Sequence, residues 1–259
     1  MTMRFFSYGG GVQSTAVLVL TAQGKLQYDE FLFADVGADS ENPGTLKYYD
    51  EIAVPFAAEH GIKLTRVENK ISVYSECMRN NRRIIIPIYL SGGRPGDRAC
   101  TVDKKIRRIA SYIRKTYKLK EHLVGLGIST DEIHRAKIGV SKVLGSVTQT
   151  NEYPLIDLRL SRHDCQRIIA EVGLPIPPKS SCWFCPFHRP GYWKEMRQND
   201  PEHFMKAVEM EKFINIKRNV LGRDIVFLHP ALRPLEQAVD MQGNFFNELE
   251  NCESGFCMT

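Results

Sequence analysis

Apolar and polar positions change rhythm in a regular way along the first 175 residues. Short apolar runs alternate with longer stretches of helical spacing. Arg4-Phe5-Phe6-Ser7-Tyr8 reads as a buried strand and is cut by Gly9-Gly10-Gly11. Ser14 to Gln23 then suits a packed helix that stops at Gly24. Phe31 to Asp35 is a second apolar strand, Leu46 to His60 is helical up to Gly61, and Ile62 to Val67 is the next strand. Residues 104–118 read as a helix, and Leu123 to Ile128 as a short glycine-containing strand. Tyr153 to Asp157 reads as extended, and Arg162 to Val172 as a helix closed by Gly173. Strand and helix in alternation predict an α/β fold, a parallel sheet with helices on both faces. Ligands in such sheets sit at the carboxyl ends of the strands.

The rhythm breaks near residue 175. Pro175, Pro177 and Pro178 punctuate the chain, followed by a knot of cysteines and aromatics and an amphipathic stretch from Pro201 to Asn219. The last forty residues look irregular. We therefore expect two regions, a nucleotide-binding core over 1–175 and a cysteine-bearing helical or irregular region over 176–259. No internal repeat or low-complexity tract is visible.

At 259 residues and 43% hydrophobic, the chain can bury a core without disulfides. It has no apolar run of about 18 residues, so no membrane-spanning helix is expected. Its start lacks the apolar stretch and small-residue cleavage site of a secretory leader, which points to the cytoplasm. A net charge of +5 permits a polyanionic partner without requiring one.

Gly9-Gly10-Gly11-Val12-Gln13-Ser14-Thr15 joins the first strand to the first helix. Glycines let backbone approach a ligand closely, and a helix start offers unpaired N–H groups to an anion. Ser14 and Thr15 can add hydroxyl donors. The spacing fits neither the lysine-bearing mononucleotide loop nor the dinucleotide G-x-G-x-x-G pattern. A plain glycine-rich turn is the bland reading. The loop nevertheless occupies the place in an α/β fold where phosphate loops belong.

With these residues the chain resembles the PP-loop ATP pyrophosphatase superfamily, in its sulfonucleotide (PAPS) reductase-like branch, whose loop reads roughly S-G-G-x-D-S-T. Gly10, Gly11, Ser14 and Thr15 match, while Gly9 stands at the family's serine and Gln13 at its aspartate. The resemblance implies an adenine nucleotide alpha hydrolase-like fold. It also implies ATP bound through its pyrophosphate by Ser7, Gly9, Gly10, Gly11, Gln13, Ser14 and Thr15, with Mg²⁺. It extends over most of residues 4–211. Asp35, in Phe33-Ala34-Asp35-Val36-Gly37, is similar to the family's strand-end D-T-G, and a carboxylate there can orient Mg²⁺ or a nucleotide hydroxyl. Capping of the next turn is the alternative for Asp35. Gly127-Ile128-Ser129-Thr130-Asp131-Glu132 with Arg135 resembles G-I-R-x-x-E-x-x-R. Gly127 is placed at the nucleotide, and Arg135 becomes the expected phosphate contact because Ser129 replaces the arginine. A salt-bridged helix start is its alternative. Tyr153-Pro154-Leu155-Ile156-Asp157 resembles the family's Y-P-L-x-D/E segment and reads as structural.

Seven cysteines, two pairs of them close in sequence, point to metal or redox chemistry. Cys182-Trp183-Phe184-Cys185-Pro186 offers two thiolates from one turn, a good grip on a metal. A redox dithiol normally opens a helix near the first βα unit, and this pair lies late in the chain. Arg98-Ala99-Cys100-Thr101 resembles the family's cluster-binding C-T-x-x-x-K segment, which implies Cys100, Cys182 and Cys185 as ligands of a [4Fe–4S] cluster. A zinc site built from Cys182, Cys185, Cys252 and Cys257 is the rival. Cys77 and Cys165 read as structural.

Residues 104–120 hold eight positive charges in seventeen positions, with Arg79, Arg82 and Arg83 adding charge nearby in sequence. The stretch is either a solvated helix face or a track for DNA or RNA. The resemblance is closest to sulfurtransferases of nucleic-acid modification, including the DNA-phosphorothioation type. It implies adenylation of an acceptor, release of pyrophosphate, and sulfur supplied by a donor such as a cysteine desulfurase. A sulfonucleotide reductase using Cys252 or Cys257 is a second reading, and a non-catalytic zinc- or nucleotide-binding module is a third.

Overall fold

The computed structural model describes residues 3–80, 83–137 and 139–240. The chain opens with β1 (Arg4–Ser7), α1 (Val12–Ala22), β2 (Glu30–Asp35), α2 (Pro43–Tyr48), a π-helical turn (Tyr49–Ala53) and α3 (Val54–Glu59). Next come β3 (Leu64–Glu68), α4 (Val73–Cys77), β4 (Tyr89–Leu90), a π-helical stretch (Thr101–Ile106) and α5 (Arg107–Tyr117). β5 (Glu121–Leu126) leads through a 3-10 turn (Thr130–Arg135) to β6 (Val140–Leu144) and β7 (Val147–Glu152). The remaining elements are α6 (Pro154–Asp157), α7 (Arg162–Glu171), α8 (Pro190–Asn199), α9 (Pro201–Val220), β8 (Val226–Phe227) and α10 (Leu235–Asp240). No helix among the described residues is long and apolar enough to cross a membrane.

These elements form two compact units. The first takes Met1–Lys70 with Val102–Ser181, and the second takes Ile71–Thr101 with the chain from Cys182 onward. The chain passes into the second unit for the last time after Ser181. Ile71–Thr101, which the sequence placed in the nucleotide-binding core, is built into the second unit. The partners that hold it there lie far away in sequence. Tyr89 and Leu90 pair with Phe227 and Val226, and the Lys217 ammonium donates to the carbonyls of Cys77 (3.0 Å) and Arg79 (2.8 Å).

The first unit is an α/β layer with strand order β3-β2-β1-β5-β7-β6, parallel except for β6. Side chains alternate across it. Phe6, Phe31 and Phe33 pack on one face with Ala16 and Val17 of α1 and Ile169 of α7. Phe5, Leu32, Ala34 and Val124 pack on the other with Ile109 and Ile113 of α5. Burial on both faces explains why these strands read as continuous apolar runs, and each fully buried Phe contributes about 2–3 kcal/mol. The expected fold class is therefore the observed one. Chain order reverses at β1, with β2 and β3 on one side and β5 on the other. Such a reversal opens a crevice beyond the carboxyl ends of β1 and β5.

One expected element differs. Tyr153 to Asp157 is not extended; Pro154 to Asp157 form a one-turn helix, with the N–H of Asp157 donating to Tyr153 O at 3.1 Å. Proline at a first helical position pre-sets the backbone angle, and a five-residue apolar run cannot distinguish the two forms. The β6–β7 hairpin was not read from the sequence: β7 is mostly polar, and β6 is only five residues long without strict alternation.

In the second unit, Phe184, Trp193, Phe204, Met210, Ile214 and Leu228 are buried. Glu211, also buried, accepts the N–H of Leu228 (2.7 Å) and of Leu235 (2.8 Å). Burial outweighs these bonds and pushes its carboxyl up to about 7. Burial pushes His229 down to about 4. Between pH 4.5 and 7 the folded state keeps a proton on Glu211 that the unfolded chain has lost, so stability falls as pH rises. Between pH 6.5 and 4 the unfolded chain protonates its His229 first, so stability falls as pH falls. The two trends oppose each other over most of the same range. In His229→Asn, which keeps an acceptor for the Ala231 N–H, the Glu211 trend is no longer opposed by His229 within this unit. Stability should then drop by about 3 kcal/mol from pH 4.5 to 7. The chain's two tryptophans, 183 and 193, both lie buried in this unit, so their fluorescence in urea titrations reads it directly. A flat profile in the variant would contradict this account.

Candidate functional site

Gly9, Gly10 and Gly11 follow the carboxyl end of β1 and open α1, at the point where chain order reverses. Gly10 has φ +76°, and a Cβ there would stand 2.7 Å from the Thr45 methyl, so only glycine fits without displacement. Ser14 closes the loop on itself. Its hydroxyl donates to Gly11 O at 3.0 Å and accepts the Gly11 N–H at 3.1 Å. The Thr15 hydroxyl pairs with the buried Tyr8 hydroxyl at 3.0 Å. The two hydroxyls expected to act as donors thus shape the loop. The first-turn amides of Val12, Gln13 and Ser14 are those for which the helix itself supplies no carbonyl. Ser7 precedes the loop as the last residue of β1.

Gly127 follows β5 and stands against α1. A Cβ on it would lie 3.1 Å from the Ser14 nitrogen. The two glycine segments expected at the nucleotide are therefore side by side. Ser180 lies across the loop from a distant part of the chain, its hydroxyl donating to Gly9 O, and the N–H of Asn42 donates to Ser181 O at 3.1 Å.

Asp35 ends β2. One carboxylate oxygen accepts the Gly37 N–H at 2.7 Å and the other the Arg66 Nε–H at 2.8 Å. Asp35 thus caps the following turn and pairs with Arg66 at the carboxyl end of β2. Glu41, 1% exposed, lies nearby in the same loop. Burial pushes its carboxyl up, with Lys105 opposing and Asp35 adding to the rise. Arg135 is buried and paired with Glu132 at 2.7 Å within its 3-10 turn. Arg162, the first residue of α7, reaches Gln13 with its Nη1 at 3.2 Å from the Gln13 Oε1. Sequence spacing could not bring out Arg162 or Ser180, because neither stands in a motif, whereas Glu41 opens the Glu41-Asn42-Pro43-Gly44-Thr45-Leu46 segment that resembles the family's helix start after the strand-end aspartate.

Cys100, Cys182 and Cys185 all belong to the second unit, are partly exposed, and are not in disulfides. The Cys185 N–H donates to Cys182 O at 3.0 Å and the His188 N–H to Cys185 O at 3.1 Å. This is a tight turn that brings the two cysteines of the pair together. The His188 Nε2 lies 2.8 Å from the same Cys182 carbonyl, and its ring stacks on Tyr192 at 3.6 Å. Among the described residues, no three His, Cys, Asp or Glu side chains are gathered closely enough to hold one metal ion. Cys252 and Cys257, invoked for zinc or for reductase chemistry, lie outside the described residues, as does Arg82. Cys77 and Cys165 are buried, as expected of structural cysteines, and burial pushes the Cys165 thiol up to about 12.

The basic stretch is the π-helical turn and α5. Ile109 and Ile113 face the sheet, Arg107, Arg114 and Lys115 are exposed, and Lys104, Lys105 and Arg108 are half-buried. Several of these cations have internal partners. Arg108 Nε donates to Glu68 O, Arg107 pairs with Asp103 at 2.6 Å, and Lys118 reaches Lys115 O at 2.8 Å. Arg114 and Lys115 have exposed heads, which makes them the better probes of nucleic-acid binding. Arg114→Ala/Lys115→Ala should weaken DNA or RNA binding and flatten its log–log salt slope by roughly 0.7–0.9 for each phosphate no longer neutralised. Unchanged affinity and slope, measured by fluorescence anisotropy from low to moderate salt, would make this only a solvated face.

No protein-family model matches the chain, and no curated protein matches it. Among solved structures, the U34-tRNA thiolase NcsA from Methanococcus maripaludis with its [4Fe–4S] cluster is similar to 82% of this chain and 72% of that one. The identity is 14% and the TM-score 0.44, a likeness that assigns neither a family nor an activity.

Proposed function

We propose that this chain binds ATP on the Gly9–Gly11 loop and cleaves it to AMP and pyrophosphate, adenylating an acceptor for sulfur transfer in nucleic-acid modification. The observation that carries the reading is the meeting of two glycine segments where the sheet's chain order reverses, with Gly127 directly against the first turn of α1. In this reading, the amides of Val12, Gln13 and Ser14 hold the pyrophosphate, where fixed donors stabilise the charge that develops as it leaves. Asp35 faces Mg²⁺ or a nucleotide hydroxyl at the end of β2, and Arg135 braces the loop after β5 on the phosphate side. The basic face of α5 takes the DNA or RNA.

For the metal, the proposed ligands are Cys100, Cys182 and Cys185. The Cys182–Cys185 turn fits a two-thiolate grip, and thiolates suit an iron–sulfur cluster and zinc alike. A bound [4Fe–4S] cluster with three protein ligands would supply an open iron for a sulfur atom. The sulfur itself would come from a donor such as a cysteine desulfurase.

The test is isotope exchange between pyrophosphate and ATP, with and without tRNA or DNA as acceptor. Exchange that requires Mg²⁺ and is lost on altering the glycine loop supports adenylation. Phosphate release without exchange, or no turnover of ATP at all, overturns it.

A further inference from the structure

We infer that Arg162 is a phosphate-binding cation of the glycine loop, held there by Gln13 and selective for the polyphosphate end of the nucleotide; this rests on the nucleotide-binding reading above. Arg162 and Gln13 are 149 residues apart, yet the Arg162 Nη1 donates to the Gln13 side-chain oxygen at 3.2 Å. Gln13 is the second residue of α1, in the turn whose amides lack helical partners. The guanidinium is thus fixed beside the loop's donors.

Two further contacts set its position. The main-chain N–H of Arg162 donates to Asp131 Oδ2 at 2.5 Å, and the same oxygen accepts the Ser129 hydroxyl at 3.2 Å. Ser161 and Asp164 cap the start of α7 reciprocally, with bonds of 3.0 and 3.1 Å. The backbone from which the side chain extends is therefore tied to the loop after β5.

The chemistry of Gln13 decides what the arginine is for. An amide oxygen accepts a hydrogen bond without neutralising the donor, whereas a carboxylate would form an ion pair. Among the described residues no carboxylate makes ion-pair contact with Arg162. A guanidinium has five N–H donors, and Gln13 takes one. The remaining donors and an unneutralised charge suit a pair of phosphate oxygens.

The experiment titrates wild type, Arg162→Gln and Gln13→Glu with inorganic pyrophosphate, ATP and AMP by calorimetry at one ionic strength. Circular dichroism monitors the fold. The Asp131 contact uses the main-chain N–H, so it survives in Arg162→Gln. That variant should lose roughly 10- to 100-fold in affinity for pyrophosphate and ATP, as expected for a charge-assisted contact, and nothing for AMP. Gln13→Glu should lose a similar factor with the arginine still present, because the new carboxylate captures it. Wild-type affinity for pyrophosphate in folded Arg162→Gln would overturn the assignment while leaving the ATP reading intact. Pyrophosphate binding that depends on Arg162 but comes without ATP–pyrophosphate exchange would support the assignment and sink the adenylation reading. Failure of wild type to bind either polyphosphate would overturn both.

Discussion

Gly11→Ala should leave the protein folded and weaken ATP binding by about 10- to 150-fold, and Gly11→Val should take it below detection. The geometry separates this position from its neighbour. Gly11 has extended backbone angles, φ −106° and ψ −178°, which any residue adopts. A Cβ there would meet only the Ser180 Cβ at 3.6 Å, an ordinary contact. Gly10 differs, because its positive φ and the Thr45 methyl at 2.7 Å make any side chain costly to the fold itself. Loss of binding in a Gly10 variant would therefore mix misfolding with impaired chemistry, whereas Gly11 isolates the chemistry. The magnitude follows from displacing one charge-assisted hydrogen bond, about 1.5–3 kcal/mol. Calorimetry on folded Gly11→Val with unchanged ATP affinity would rule out a phosphate loop here.

The second large effect concerns metal. Anaerobically purified wild type should be brown, with about four irons per chain if the group is [4Fe–4S]. Cys182→Ala and Cys185→Ala should each abolish the colour, since each removes one thiolate from the only turn among the described residues that carries two cysteines. Cys100→Ala should bleach it as well. Cys165→Ala is the matched control, because Cys165 lies on the buried side of α7 in the first unit with its thiol pushed up to about 12. A thiol so hard to ionise is a poor ligand. Metal analysis and visible spectra decide the matter. A colourless protein with one zinc, unmoved by Cys100→Ala, would replace the cluster with a structural zinc site.

Much of the first unit was legible in the sequence because its signals are local. Strands buried on both faces leave unbroken apolar runs such as Phe31 to Ala34, and glycines mark the ends of helices and the turn after β1. The same locality limits what could be read. Pro154 begins a helical turn rather than a strand because backbone preferences there are nearly balanced. The short strand β6 and the polar strand β7 left no periodic trace.

The sequence by itself determined the α/β class, the glycine loop's place after the first strand, and the pairing of Cys182 with Cys185 in one turn. Only the tertiary structure decided that Gly127 stands against Ser14, that Ile71–Thr101 belongs with residues beyond Cys182, and that Arg162 reaches Gln13. The physical reason is that hydrophobic periodicity and turn chemistry act over a few residues. A guanidinium's partner, or the unit that an insertion joins, depends on which distant surfaces the paired strands and the packed helices bring together.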